Sequence, residues 1–420
     1  MTRTEPFLRM KKASCAILCA ALLFLCLFSV KAETDPSSSA LYDEIVAVFD
    51  ARKAHSGGVK TLLTSPDFLS KTGEANSSTF TDWIALAMGR FSFVNAKGEP
   101  RFLYADGQTE YLDGLSVYVS KSYEKNGGLL SKSKVTEGQR CALTVAALGG
   151  DSRSIGTFEG RSVDLVADST FDSKLPVTRQ GIMGVIFALI AKNACGAKTP
   201  QAAAYNDEFL YTYLLEWELP KGGWTLMGKM ADADVTAMAL CALALAKDDA
   251  AVYTVERAAD EKTVSSTLGA AAERGLACLS RMQMPDGGYG SGGVRNCESC
   301  AQVLTALSAF GIDAETDPRF LKKGNSVLDA MLSYRLADGS FAHTKNENGK
   351  AETFNVLATD QAAYALVARW RCVSGMRSLY DMRPDLSAPM QTLLRDLVRY
   401  LLAVFSFLTT GTKISVSSPR

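Results

Sequence analysis

Histidine is scarce in this sequence: His55 and His343 are the only two in 420 residues. That argues against histidine-rich metal sites and against most nucleophile–histidine triads. Neither sign of charge is in excess, since 45 Lys and Arg face 45 Asp and Glu. No polyanionic partner is suggested, so nucleic acid is not expected among the ligands. No block is polar enough for a long disordered region, and an apolar fraction of 47% suffices for a sizeable core. A disulfide framework is also lacking. Outside the first 32 residues the cysteines are Cys141, Cys195, Cys241, Cys278, Cys297, Cys300 and Cys372, an odd number scattered on apolar stretches. No cysteine stands in a lipobox, because Cys26 follows Leu-Phe-Leu, and no Leu-Pro-x-Thr-Gly sorting motif ends the sequence.

What is present begins with a targeting segment. Arg3, Arg9, Lys11 and Lys12 precede an uncharged, mostly apolar run over residues 13–30, and Val30-Lys31-Ala32 offers a cleavage site. Residues 1–32 are expected to be a signal peptide, residues 33–40 a Ser-rich linker, and the protein an extracytoplasmic one, secreted or held at the cell envelope. An uncleaved anchor is the competing reading, since the run is just long enough to span.

The rest of the sequence repeats itself. Gln283-Met-Pro-Asp286-Gly287-Gly288-Tyr289 ends one helical stretch and opens another. Its proline stops a helix, and its glycines supply the positive φ of a tight turn. Cousins stand at Glu218–Trp224, with Gly222, Gly223 and Trp224, and at Arg335–Phe341, with Asp338, Gly339 and Phe341. A weaker one lies at Tyr123–Leu129. After each comes an Ala-rich helix, and three of these superpose, aligning Thr236, Cys300 and Thr359. Ala-rich helices are expected over 81–91, 139–149, 180–191, 234–246, 298–310 and 358–369. Longer amphipathic ones precede them over 41–54, 108–124, 162–169, 206–219, 267–283 and 319–336. Small side chains let helices approach on all sides, which suits an inner ring, whereas one charged face suits an outer ring. The expected fold is all-α, a closed α/α toroid (an α6/α6 barrel) of six helix pairs over residues 41–382. No polar capping repeat marks an open solenoid. Residues 383–420 depart from the repeat as a tail with one amphipathic helix near 393–408.

These turns resemble the repeats of the prenyltransferase and squalene oxidase superfamily, and the whole pattern is most similar to exported bacterial toroid proteins without an established reaction. Three better-known relatives suggest chemistry. Class II terpene cyclases use a D-x-D-D acid motif, and here Asp232-Ala-Asp234-Val235 supplies half of it. The competing reading is structural, with Asp234 capping a helix that begins at Val235 and Asp232 near its positive end. Protein prenyltransferases bind zinc through an Asp-x-Cys pair and a distant histidine. Glu298 and Cys300 mimic the pair, but the sixth inner helix offers no histidine, so no metal is expected. Cobalamin carriers clamp their ligand between a toroid and a β domain. The toroid half of such a system stays open, with cobalamin as its cofactor, although a second domain is missing.

Trp224, Tyr289 and Phe341 share one repeat position and are expected to be packing anchors. Asp82, Trp83, Gln139, Gln180, Asp234, Glu298 and Asp360 fall at or near the starts of the inner helices. In a toroid those ends gather at one mouth, a candidate ligand site over an apolar cavity. The expected role is non-catalytic binding of an apolar or cofactor-like ligand, or of a surface protein partner. The alternative is an isoprenoid-processing enzyme using Asp232 and Asp234. Membrane contact through an uncleaved N-terminus or the C-terminal helix stays open.

Overall fold

Alanine-rich and amphipathic stretches alternate along the computed structural model, which describes residues 40–57, 61–94 and 99–385. The expected signal peptide, nearly all of the linker and most of the C-terminal tail lie outside the described residues. Twelve α-helices are present among them. The odd-numbered ones are α1 (Ala40–Ala54), α3 (Gln108–Asn126), α5 (Leu165–Ser169), α7 (Asp207–Glu216), α9 (Leu268–Met282) and α11 (Val327–Leu332). The even-numbered ones are α2 (Asp82–Arg90), α4 (Val135–Ala147), α6 (Ile182–Ala194), α8 (Ala233–Ala244), α10 (Cys297–Ala309) and α12 (Val356–Val373). Four short antiparallel hairpins punctuate them: β1–β2 (Ser92–Val94, Pro100–Phe102), β3–β4 (Thr157–Phe158, Arg161–Ser162), β5–β6 (Tyr253–Arg257, Lys262–Ser266) and β7–β8 (Gly290–Ser291, Val294–Arg295). Among the described residues no helix is long and apolar enough to cross a membrane.

The even helices are buried over most of their length. In α10, twelve of the residues from Cys297 to Ser308 are buried, small and polar ones included. Such a helix has no face left for solvent, so it must sit inside the others. Contacts run from α2 to α4, α6, α8, α10 and α12, and from α12 back to α2. Five of the six odd helices cover this circuit with a constant offset. Helices α5, α7, α9 and α11 each pack on the even helix that precedes them, and α1 packs on α12, the last.

The turn motif makes that offset possible. Gly222, Gly287 and Gly339 all have positive φ, near +80°, +81° and +94°. A Cβ at Gly222 would meet Arg274 O of α9 at 2.5 Å, and one at Gly287 would meet Ser326 O, before α11, at 2.2 Å. At Gly339 the neighbour is Ala47 O of α1, at 3.0 Å. Each turn thus lets its glycine touch the next outer helix, and the third turn's next helix is the first of the chain. Only glycine combines this backbone conformation with that close approach.

The aromatic residue of each turn enters the core. Trp224, Tyr289 and Phe341 are almost fully buried. Their backbone N–H groups donate to Thr236 Oγ1 at 2.9 Å, Cys300 Sγ at 3.4 Å and Thr359 Oγ1 at 3.0 Å. The three acceptors are the residues that superpose in sequence. Trp224 Nε1 and Tyr289 Oη then donate to Leu214 O and Leu279 O on the preceding outer helices. At Trp224 and Tyr289 one position therefore ties turn, even-numbered helix and odd-numbered helix together, whereas Phe341 ties its turn to α12 through the backbone alone.

Candidate functional site

Four residues before each superposed acceptor stands an N-cap: Asp232, Asn296 and Asn355. Asp232 Oδ1 accepts from the N–H groups of Asp234 and Val235 at 2.9 and 3.1 Å, and Ser291 Oγ donates to its Oδ2 at 2.5 Å. The cap of α8 is therefore Asp232 rather than Asp234, because the helix begins at Ala233. Asp234 is left free for other work, inside the first turn.

Its surroundings are unusual for a carboxylate. Burial pushes the Asp234 carboxyl up to about 6, the nearby charges of Asp232 and Glu298 add to this, and the Ser299 hydroxyl partly offsets it. The two groups face each other too loosely to bond well: neither Asp234 Oδ1 nor Ser299 Oγ, both buried, meets full hydrogen-bond geometry with any neighbour. Glu298, two residues before Cys300 as Asp234 is before Thr236, pairs with His343 Nδ1 at 2.8 Å. Asp234 and Glu298 both lie within electrostatic reach of the buried Tyr364 phenol.

Tyr364 begins an aromatic cluster. Its ring lies 5.8 Å from Trp83, which lies 5.8 Å from Phe187. These rings come from α12, α2 and α6. Because α2 and α6 are not neighbours in the circuit, Trp83 reaches across the inside of it. Gln302 Nε2 donates to Tyr364 Oη at 2.6 Å and to Gln361 Oε1 at 3.1 Å. Gln302 and Gln361 occupy one repeat position, two residues after Cys300 and Thr359.

The other residues expected at a mouth hold elements together. Asp82 is fully buried and accepts from Arg140 Nε at 2.7 Å and from Ser77 Oγ at 2.9 Å. Gln139 Nε2 donates to Ser169 O and Gly184 O, both at 2.9 Å. Gln180 Oε1 accepts from the Thr136 N–H at 3.0 Å, at the start of α4. Asp360 is paired with Arg52 of α1 at 2.9 Å, and burial still pushes its carboxyl up to about 7. Of the seven residues, Trp83, Asp234 and Glu298 come together, joined by Ser299, Gln302, His343, Gln361 and Tyr364.

Zinc has no ready ligand set here. Cys300 accepts a backbone hydrogen bond in place of threonine, and burial pushes its thiol up to about 12, away from the thiolate a metal needs. Among the described residues no three His, Cys, Asp or Glu side chains gather to hold a metal ion.

No protein-family model matches the sequence, and no curated protein does. Solved structures give similarities at low identity. One is the type II terpene cyclase MstE from Scytonema, in complex with its substrate geranylgeranyl dihydroxybenzoate. It is 14% identical, with a TM-score of 0.43 over 79% of this chain and 99% of that one. The same cyclase without ligand matches with a TM-score of 0.43 over 77% and 98%. A glycosidase is 12% identical, with a TM-score of 0.32 over 79% and 96%.

The Asp234 environment has a consequence for stability. Its carboxyl keeps a proton in the fold between its usual value of 3.8 and about 6, whereas the unfolded chain has already lost it. The stabilisation from that proton is complete below about pH 4 and lost as pH rises through about 6. A shift of this size is worth roughly 3 kcal/mol at full effect. Asp234→Asn should therefore match wild type in urea midpoint near pH 4 and exceed it at pH 7 by roughly 1–3 kcal/mol. Equal differences at the two pH values would mean that Asp234 titrates normally. Measuring the difference between the two proteins cancels the parallel titration of Asp360.

Proposed function

We propose that residues 41–382 form a closed α/α toroid of six helix pairs, and that the protein is an exported binding protein for an apolar ligand with one polar end. The cyclic helix contacts and the constant offset of the outer helices support closure. The basic, then apolar N-terminal sequence supports export. One observation carries the binding reading: Asp234 Oδ1 and Ser299 Oγ are buried without a well-formed hydrogen bond, and Asp234 lies within electrostatic reach of Tyr364, whose ring adjoins Trp83 and through it Phe187. Leaving buried polar atoms unpaired costs about 1–3 kcal/mol each. A ligand whose polar end sits on these two groups, with its apolar body on the rings, recovers that cost.

A second reading, acid catalysis on an isoprenoid, is favoured by the same carboxyl. An Asp that holds its proton to about pH 6 next to two other carboxylates has the character of a general acid. Linear prenyl alcohols separate the two readings. The full chain is incubated with them, weighed by native mass spectrometry, and its extract searched for cyclised products. A bound mass that Trp83→Ala reduces about ten-fold, without product, is the expected result. Cyclised product from wild type but not from Asp234→Asn would replace binding with catalysis. If neither bound mass nor product appears, and protein from its own host carries no ligand either, the site has no such role.

A further inference from the structure

Outer helix α7 carries a feature that the ring interior does not use. Its buried side presents Leu210, Tyr211, Leu214 and Leu215. Along another side runs a ladder of aromatic rings four residues apart: Tyr205, Phe209, Tyr213 and Trp217. Successive ring centroids are 5.3, 6.2 and 6.0 Å apart, and the last two pairs are stacked. Phe209 and Trp217 are 37% and 41% exposed. Beside the ladder lie Glu208, Thr212 and Glu216, which share a shallow groove with Phe209 and Tyr213.

Glu216 is out of place by ordinary rules. It is the last residue of α7, where the helix dipole disfavours negative charge. It is only partly exposed, and burial pushes its carboxyl up. Among the described residues neither Glu208 nor Glu216 has a cationic partner, whereas Asp207 is paired with Lys192 at 2.9 Å. Unpaired carboxylates beside aromatic rings leave a surface short of positive charge, because the ring faces are themselves electronegative. A neutral sugar would stack on the rings without supplying that charge, and an anionic bilayer would be repelled.

We propose that the α7 ladder is a docking surface for an extended basic peptide segment of a partner protein, with Arg or Lys at alternate positions. Alternate residues of an extended chain are roughly 6.6–6.8 Å apart, close to the 6.0–6.2 Å between the stacked rings. Ten helical residues span about 15 Å, which about five extended residues cover. Each cation sits over a ring and pairs with Glu208 or Glu216, combining cation–π attraction with an ion pair.

The test uses the full chain and a synthetic Arg-Ser-Arg-Ser-Arg peptide in isothermal titration. Glu-Ser-Glu-Ser-Glu, a neutral cello-oligosaccharide and phosphatidylglycerol vesicles serve as competing probes. The basic peptide should bind, and binding should weaken with salt. Trp217→Ala, Tyr213→Ala and the double variant Glu208→Gln with Glu216→Gln should each weaken it about ten-fold. Trp217 and Glu208 are exposed and Tyr213 and Glu216 half-buried, so far-UV circular dichroism melts should change little, and a variant that melts early is replaced by Trp217→Leu. The proposal falls if the basic peptide does not bind, if the acidic peptide binds equally, or if the ladder variants bind like wild type. Binding of the sugar or the vesicles that the same variants abolish would assign the surface to that occupant instead.

Discussion

Trp224→Ala should lower the free energy of unfolding by roughly 3–5 kcal/mol, the range for truncating a large buried aromatic. The indole is fully buried, and its loss leaves a cavity that three elements cannot fill together. Gly275 of α9 shows how tight the site is, since a Cβ there would stand 3.0 Å from the Trp224 ring. Truncation also strands Leu214 O, which loses the Nε1 donor at 2.8 Å. Trp224→Phe separates the two contributions, because it keeps most of the ring and removes the donor. It should cost about 1–2 kcal/mol, mostly the unsatisfied carbonyl. Denaturant titration at fixed pH measures both. A loss of only a few tenths for Trp224→Ala would mean that the turn does not anchor the repeat.

The position of the helices was legible because the turn motif and the alanine-rich run each have their own sequence signal. Gly287 and Gly288 punctuate, and the run after Cys297 has the helical period. Ends were read less well. The sequence pattern predicts a helix over 139–149, but α4 begins at Val135, since Thr136 and Glu137 are as compatible with a first turn as with a loop. The outer helix expected over 319–336 shrinks to α11 after a 3₁₀ turn at Pro318–Phe320, because the Ser326–Asp329 capping box starts a helix inside an apparently continuous period.

The candidate site was legible only in part, for a different reason. A charged residue at a helix start looks the same whether it faces a cavity or a neighbour. Asp82 and Asp360 differ from Asp234 through Arg140 and Arg52, which stand 58 and 308 residues away. No local pattern predicts such partners. The pairing of Glu298 with His343 crosses 45 residues and was equally hidden. Gln302 and Gln361 did leave a trace, since they are amides at one repeat position, two residues after Cys300 and Thr359.

Arg371→Met should destabilise the protein by roughly 3–5 kcal/mol, as removal of one partner from a buried ionic cluster does. Arg371 lies in α12, is fully buried, and uses all three of its nitrogens. Nη1 donates to Arg90 O at 2.9 Å and Ser92 O at 2.7 Å, Nη2 to Asp385 at 2.7 Å, and Nε to Arg377 O at 2.7 Å. Met fills similar volume and satisfies none of these, so three carbonyls and one carboxylate lose their donor. The location makes the test informative beyond its size. Arg90 and Ser92 belong to the end of α2 and to β1, 281 and 279 residues away, so this guanidinium joins the last inner helix to the first. Arg90 returns the bond from the other side, donating to Ser378 O and Asp381 O at 2.9 Å. If the circuit is held closed here, Arg371→Met should raise amide hydrogen exchange in α2 and α12 before it does so in α6 and α8, opposite the seam. Arg371→Lys keeps the charge without the planar fork, and should recover less than half of the loss. Uniform acceleration across all six even-numbered helices would show that the contact between α2 and α12 is no weaker than the rest. A loss below about 1 kcal/mol would show that the cluster contributes little to holding α12 against α2.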